Sequence, residues 1–288
     1  MDDSILLKRK RPLDNLAYVL IYFSAFISVA ILIGIIVYVT VKGISNVNWT
    51  FLSTERSALK GTNGIAGNIL NTLYIVVVTI VIATPIGVGS AIYLNEYAKP
   101  GKLVKIIEFT TETLAGIPSI IFGMFGLVLF NQAFHLGYSL LTGALTLTLM
   151  VLPLITRNTQ EALKTVPKSY RDGALGMGAG KWHMIRTVVL PNAVDGIVTG
   201  CILAVGRIVG ESAALLYTAG FGLVLNDFVT ALHSSSATLT VALYVYANDR
   251  GRTDVAFSIA SVLMLLTLVI NLTAALTGRK LKKNGGTQ

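Results

Sequence analysis

The sequence predicts an all-α integral membrane protein with six transmembrane helices, and three observations support this. Of the 288 residues, 53% are hydrophobic and 13% are charged, with a mean hydropathy of +0.71, whereas a soluble domain carries about 25% charged residues. Apolar runs long enough to cross about 30 Å of hydrocarbon as a helix recur along the chain. The lysines and arginines lie almost entirely between these runs. The helices therefore face lipid.

We expect the helices at residues 16–41, 67–97, 104–131, 137–160, 188–217 and 255–277. The first follows the basic run Lys8–Arg11, as the core of a signal peptide would. Its apolar run is much longer than the roughly 7–15 residues of a signal core, and it lacks a clear small-residue cleavage site. We therefore expect a basic N-terminal segment at 1–15, a retained helix at 16–41, a core of five helices at 67–277 and a basic tail at 278–288.

The distribution of basic residues predicts the orientation. Seventeen of the 23 lysines and arginines lie before the first helix, after the second, around the loop after the fourth, and after the sixth, and five lie in the other connections. Positive charge is retained on the cytoplasmic side. Both termini and residues 161–187 of this multi-pass cell-membrane protein are therefore expected in the cytoplasm, which requires an even number of spans. The connections at about 42–66 and 218–254 would lie outside.

Glycine and proline interrupt the second, third and fifth expected helices, in the second at Pro85, Gly87 and Gly89. The third contains Gly116-Ile117-Pro118-Ser119, and the fifth contains Gly196, Gly200, Gly206 and Gly210. Small residues let helices pack closely in lipid, while breaks can expose backbone groups to a cavity or a substrate. The spacing of four favours packing in the fifth helix. For Pro118 and Ser119, a packing kink and a place on a translocation pathway both remain open.

Arg207 and Glu211 lie past the middle of the fifth expected helix. A lone charge at the centre of a membrane helix costs about 2.5–3.5 kcal/mol, so it needs an offsetting interaction. A spacing of four places both side chains on one helical face, where the guanidinium can engage the carboxylate or an oxyanion. The two could form a self-satisfied pair that orients the helix. Alternatively, they form a polar surface on the pathway, where Glu211 moderates the hold of Arg207 on an anion.

A segment too polar to span the membrane follows the fourth expected helix. Asp172-Gly173-Ala174-Leu175-Gly176-Met177-Gly178 is followed, after nine residues, by Val188-Val189-Leu190-Pro191. This pattern predicts short helices joined by a glycine turn at the cytoplasmic surface. Gly178-Ala179-Gly180-Lys181 does not make a phosphate loop, because Leu175 occupies the first glycine position and Trp182 the hydroxyl position.

The spacing in this segment resembles the EAA loop of ABC importer permeases, whose pattern is Glu-Ala-Ala, three residues, Gly, nine residues, Ile-x-Leu-Pro. Asp172, Gly173 and Val188 replace the Glu, the first Ala and the Ile of that pattern. The resemblance implies the architecture of a type I ABC importer permease, with 161–187 as a cytoplasmic coupling loop that fits a cleft in an ATPase subunit. The implied coupling residues are Asp172, Gly173, Ala174, Gly178, Leu190 and Pro191.

Gly206-Arg207-Ile208-Val209-Gly210-Glu211 after such a loop, together with the stretch 116–123, resembles the phosphate-specific permeases over about 15–277, and 190–219 resembles the PstA-type subunit. The resemblance implies a non-catalytic membrane subunit that forms a phosphate pathway with a homologous PstC-type permease. The other implied partners are two copies of an ATPase and an extracytoplasmic phosphate-binding protein. The pathway residues would be Arg207, Glu211, Ser212, Pro118 and Ser119.

The sequence leaves one other cargo open and argues against other classes of protein. A permease for sulfate or molybdate remains open, because an arginine and a carboxylate suit any oxyanion. The EAA spacing argues against a self-contained secondary transporter, and the lack of a catalytic constellation argues against a membrane-bound enzyme. Despite a net charge of +9, the basic residues form no stripe for a nucleic acid. The three histidines lack ligand spacing, so we expect no metal and no cofactor, and Cys201 cannot form an internal disulfide.

Overall fold

The computed structural model describes residues 12–57 and 62–285, which are almost entirely helical. The basic run Lys8–Arg11, Lys60 and residues 286–288 of the expected tail lie outside the described residues. The helices are α1 (Pro12–Ile44), α2 (Trp49–Ser53), α3 (Ala66–Ile92), α4 (Lys102–Ala115), α5 (Ser119–Gly126), α6 (Leu140–Thr165), α7 (Lys168–Gly176), α8 (Lys181–Met184), α9 (Leu190–Val209), α10 (Ala213–Leu216), α11 (Phe228–His233), α12 (Leu239–Tyr244) and α13 (Thr253–Gly285). Four π-helical segments continue α3, α5, α8 and α12, at Tyr93–Tyr97, Leu127–Ala133, Ile185–Val189 and Val245–Asp249. Two short strands, β1 (Arg56–Ser57) and β2 (Thr62–Asn63), pair antiparallel.

Within the described residues, five helical segments are long and apolar enough to cross a bilayer: Leu16–Ile44, Ala66–Tyr97, Leu140–Thr165, Lys181–Val209 and Thr253–Leu276. Lys102–Ala115 and Ser119–Ala133 are bent by 104° relative to each other and together are also long and apolar enough to cross, which gives six spans if the pair counts as one. The predicted all-α membrane fold is confirmed.

The continuous helix expected at 104–131 is wrong, because the chain turns between α4 and α5. Gly116 closes α4 by donating its N–H to the carbonyl of Thr113 at 3.1 Å. Pro118 has no N–H and disfavours helical geometry at the residue before it, so Ile117 lies outside both helices. Pro118 then starts the second helix, since its carbonyl accepts from the N–H of Ile121 at 3.0 Å.

The helix expected at 188–217 is wrong at both ends. It begins earlier, since α8 passes through its π-helical continuation into α9 without a gap. Pro191, in the first turn of α9, supplies no N–H, and the wider π-helical turns lie directly before it. The helix ends at Val209, and Gly210 separates it from the short α10.

The core forms where α3, α6 and α9 pack together, around fully buried Ile75, Leu147 and Ile155. A Cβ added at Gly200 would lie 2.8 Å from Cβ of Asn158, and Gly196 closely approaches Ala162. The packing interpretation is therefore confirmed for these two glycines. By contrast, a Cβ on Gly206 would meet no atom within 4 Å.

Helix α1 lies apart from this core and packs on α13. Its last turns are joined to α13 where Ser258 Oγ donates to the carbonyl of Gly43 at 3.0 Å and Ser261 Oγ donates to that of Val39 at 3.1 Å. The side chains described between Leu16 and Val37 are exposed. This helix thus presents its apolar surface outward, as a lipid-facing span does.

Candidate functional site

The two interrupted helices meet each other. Helix α5 packs against α10, and a Cβ added at Gly123 would lie only 2.7 Å from Cα of Ala214. One turn further along α5, Gly126 closely approaches the side chains of Thr146 and Thr218. The absence of side chains at these glycines lets α5 reach α10. We call residues 116–126 and 207–216 together the break region.

Glu211 holds the second break in place. Its side chain is 9% exposed, and its carboxylate Oε1 accepts the N–H of Ala214 at 3.0 Å. Its backbone carbonyl accepts the hydroxyl of Thr240 at 2.7 Å. The carboxylate therefore caps the first turn of α10, whose N–H groups have no partner within the helix, and the backbone is tied to α12.

Arg207 lies in the last turn of α9 and is partly exposed. The expected pairing on one helical face with Glu211 is wrong, because the helix ends between the two residues and the carboxylate caps α10. Across residues 12–57 and 62–285, the guanidinium takes part in no ion pair or hydrogen bond, and the four ion pairs found there use other basic residues. Its fork of N–H donors is therefore available to a ligand.

The other predicted pathway residues flank the breaks. Pro118 is exposed, and Ser119 is partly exposed at the start of α5. Ser212 is partly exposed before α10, and its carbonyl accepts the N–H of Leu216 at 3.0 Å. The structure thus brings the two break segments together through α5 and α10, although no hydrogen bond joins Arg207 to Ser119 within the described residues.

The polar segment after α6 folds as the short helices and glycine turn expected from the sequence. Gly178 has φ +83°, and its N–H donates to the carbonyl of Leu175 at 3.0 Å. The N–H of Ala179 donates to the carbonyl of Ala174 at 3.1 Å. These two bonds close α7 with a glycine in the left-handed region. A Cβ at Gly178 would meet no atom within 4 Å, so the glycine is required by the backbone conformation and not by space.

The predicted coupling residues separate into two groups. Asp172, Gly173 and Gly178 are exposed. Ala174 and Leu190 instead pack against a buried cluster at the ends of α3 and α6, and Pro191 is exposed within the continuous helix. Four further apolar or aromatic side chains project from the same segment, with exposed fractions of 51% for Tyr170, 46% for Leu175, 89% for Met177 and 58% for Trp182. Exposed apolar side chains grouped in this way indicate a protein partner.

Sequence reasoning missed one buried ion pair. Arg171 Nη2 lies 2.9 Å from Glu96 Oε1, with side chains 16% and 6% exposed. A signal was available, because Glu96 is the only charged residue of the span expected at 67–97. An ionisable residue within a membrane span is a functional candidate by default.

The chain is similar to known membrane proteins over most of its length. The family model for the binding-protein-dependent transport system inner membrane component matches residues 83–283. The probable ABC transporter permease protein YqgI of Bacillus subtilis is 36% identical over 283 residues, which cover 94% of this chain and 96% of that protein. The phosphate transport system permease protein PstA of Haemophilus influenzae is 31% identical over 254 residues, covering 87% of this chain and 88% of that protein.

Solved structures share the fold at lower identity. A chain of the bacterial alginate ABC transporter, in complex with an alginate pentasaccharide-bound periplasmic protein, superposes with a TM-score of 0.70 at 16% identity, covering 94% of this chain and 96% of that chain. A chain of the inward-facing MetNI methionine ABC transporter gives a TM-score of 0.57 at 20% identity, covering 76% and 94%. The family match begins inside α3, so α1 lies outside it, just as it lies apart from the core.

Proposed function

The chain belongs to the binding-protein-dependent transport system inner membrane component family and is a permease subunit of an ABC importer, and we propose that its cargo is inorganic phosphate. The observation that carries this proposal is the guanidinium of Arg207, which lies in the break region and has no partner among the described residues. Its relatives named as PstA phosphate permeases, at 31% and 32% identity, cover more than four fifths of the chain. The alternative cargo is another oxyanion, such as sulfate or molybdate.

The chemistry of the break region suits an anion that must bind and then leave. A dehydrated oxyanion needs a planar, charged donor, which Arg207 supplies. One arginine without further cations holds the anion weakly enough for release, as conduction demands. Phosphate carries a proton near neutral pH and sulfate does not. We propose that the second carboxylate oxygen of Glu211, in the same break region, favours the protonated anion by offering it an acceptor.

The same proposal assigns partners to the rest of the molecule. ATP is hydrolysed by separate ATPase subunits, two in number, which dock on the exposed surface of α7 and on Trp182. A PstC-type permease completes the pathway, and an extracytoplasmic binding protein delivers phosphate at the connections around 42–66 and 218–254. A periplasmic binding protein accompanies the related alginate transporter in its crystal structure, which supports this arrangement.

The cargo is tested by uptake. The chain is co-expressed with the ATPase, second permease and binding protein of the same transporter, and proteoliposomes of the purified complex are loaded with ATP. Uptake of radiolabelled phosphate is expected, and an excess of sulfate or molybdate should not compete with it. ATP-dependent uptake of sulfate or molybdate without uptake of phosphate would show that phosphate is the wrong cargo, although the chain would still be a permease of an ABC importer.

The proposed orientation places both termini and α7 in the cytoplasm. It is motivated by the partition of basic residues, seventeen against five. Single cysteines are introduced in a Cys201→Ser background at exposed Ser53 and His233, and at exposed Thr165 and Gly173. A membrane-impermeant maleimide added to intact cells should label the first two and spare the last two. Labelling of Thr165→Cys from outside would reverse the orientation.

A further inference from the structure

The buried ion pair between α7 and the end of α3 has more bonds than a simple salt bridge. Arg171 Nη2 donates to Glu96 Oε1 at 2.9 Å, and Arg171 Nε donates to Glu96 Oε2 at 3.4 Å. The same guanidinium donates from Nη1 to the carbonyl of Val166 at 2.5 Å and from Nη2 to that of Leu163 at 2.8 Å. Asn95 Nδ2 also donates to Glu96 Oε1 at 2.6 Å. One side chain thus binds the end of α3 and the end of α6 together.

The position of these bonds is specific. Leu163 and Val166 close the C-terminus of α6, where carbonyls lack helical partners and a cation is favoured. Glu96 lies in the π-helical continuation of α3, and Arg171 lies in the middle of α7. A second contact joins the same two regions, because Lys181 Nζ lies 5.0 Å from the centroid of the Tyr97 ring. The segments on both sides of the Gly178 turn are therefore attached to the end of α3.

Burial makes stability alone a weak explanation for this pair. Two charges withdrawn from water lose their hydration, and well-packed apolar residues often stabilise a fold equally well. A bidentate arginine does fix geometry, since its planar fork restricts both distance and orientation. The pair therefore fits a part whose orientation matters.

We propose that Glu96 and Arg171 fasten α7 to the cytoplasmic ends of α3 and α6, so that the three move as one rigid body and a displacement of α7 reaches the membrane helices undiminished. The inference rests on the proposed docking of an ATPase on α7, and it makes Arg171 a positioning residue. Helices α3 and α6 pack against each other and against α9, which carries Arg207. A rigid attachment would convert movement of the docked partner into movement at the break region.

A distance measurement tests the rigid body directly. Spin labels are attached at exposed Lys99 and Ser169, on the two sides of the pair, in a Cys201→Ser background of the complete complex. The distance distribution is expected to be narrow and to have the same maximum in the nucleotide-free and ATP-bound complexes. A maximum that differs between the two states would show that α7 moves independently and would overturn the proposal.

Variants test whether the ion pair is the fastening. Single replacement strands a buried charge, so the informative variant is Glu96→Gln/Arg171→Gln, which removes both charges and spares assembly. In this variant the distance distribution should broaden, and the cargo imported per ATP hydrolysed should fall about tenfold at unchanged complex yield. The proposal would be overturned if the double variant showed the wild-type distance distribution and imported as much cargo per ATP hydrolysed as the wild type.

The matched control is the exposed pair of Glu112 and Arg157, whose charged atoms lie 3.0 Å apart with side chains 61% and 58% exposed. Exposed ion pairs contribute little to stability, so Glu112→Gln/Arg157→Gln should import as much cargo per ATP hydrolysed as the wild type. The spin-label distances are measured without cargo, so their outcome does not depend on whether the proposed cargo is correct. Failure of any ATPase to co-purify would instead reject the proposed docking on α7.

Discussion

Arg171 and Arg207 are both partly exposed arginines, and their surroundings are opposite. Arg171 donates four hydrogen bonds, to the two carboxylate oxygens of Glu96 and to two carbonyls of α6. Arg207 makes no ion pair or hydrogen bond with any residue described in 12–57 and 62–285. A cation withdrawn from water needs a partner. Arg171 finds its partners inside the chain, which indicates a structural role, whereas Arg207 leaves its donors for something outside the chain.

The comparison predicts that the two arginines fail differently when they are replaced. Loss of Arg207 should remove transport and keep the complex, whereas loss of Arg171 should weaken the complex.

Arg207→Gln should reduce phosphate uptake by about a hundredfold or more, a loss of roughly 3 kcal/mol or more of interaction with the permeating anion. Assembly should be unaffected, because a neutral side chain inserts more easily than a charged one. Arg207→Lys keeps the charge and loses the planar fork, so it should be impaired as well. Uptake and the yield of purified complex are measured together. Wild-type uptake by Arg207→Gln would show that the guanidinium does not contact the cargo.

Arg171→Gln should lower the thermal stability of the complex, because the carboxylate of Glu96 stays buried without its cation. Breaking a buried pair in this way costs about 3–5 kcal/mol. Glu96→Gln added to it should restore most of the lost stability. The melting temperature of the purified complex is the measurement, with Arg207→Gln as the comparison that should not shift it. Equal melting temperatures for Arg171→Gln and Arg207→Gln would show that the two arginines do not differ in their contribution to stability.

Replacements of Gly178 distinguish the effect of backbone conformation from the effect of contact with a partner. Its left-handed φ disfavours a residue with a Cβ by about 1–2 kcal/mol, although asparagine tolerates this region. Because the space around Gly178 is open, any extra effect of a long side chain must come from outside the chain. We expect near-normal uptake for Gly178→Asn, a moderate loss for Gly178→Ala, and loss of coupled transport with normal insertion for Gly178→Arg. Wild-type transport by Gly178→Arg would show that no partner docks at this turn.

The extent of sequence-based prediction differed between these regions for physical reasons. Membrane spans are set by the thickness of the hydrocarbon, so long apolar runs located the crossings. An apolar run contains no comparable signal for where it bends, and the ends at Ala115 and Val209 were missed despite Pro118 and Gly210. The turn at Gly178 depends on local chain conformation and was found.

The missed pair shows the other limit of sequence reasoning. Glu96 and Arg171 are separated by 75 positions in the chain, and their contact depends on how α3, α6 and α7 pack. By contrast, the spacing of four between Arg207 and Glu211 suggested a pair that the helix break abolishes. Helical spacing implies a contact only where the helix is continuous, so Gly210 was the residue that decided the arrangement.

Glu211→Gln should have only a small effect on stability. The amide oxygen of glutamine can still accept the N–H of Ala214, which Glu211 now holds at 3.0 Å, so only the charge assistance of that bond is lost. Glu211→Ala removes the acceptor itself and should cost about 1 kcal/mol, as the loss of a helix cap does. Melting temperature separates these two, and uptake tests the role of the charge. If Glu211 favours the protonated anion, Glu211→Gln should reduce the preference for phosphate over sulfate more than it reduces stability.

The double variant Arg207→Gln/Glu211→Gln should stay inactive, because Glu211 caps α10 and does not neutralise Arg207. Recovery of full uptake in the double variant would mean that the two charges do oppose each other and that Arg207 only balances Glu211.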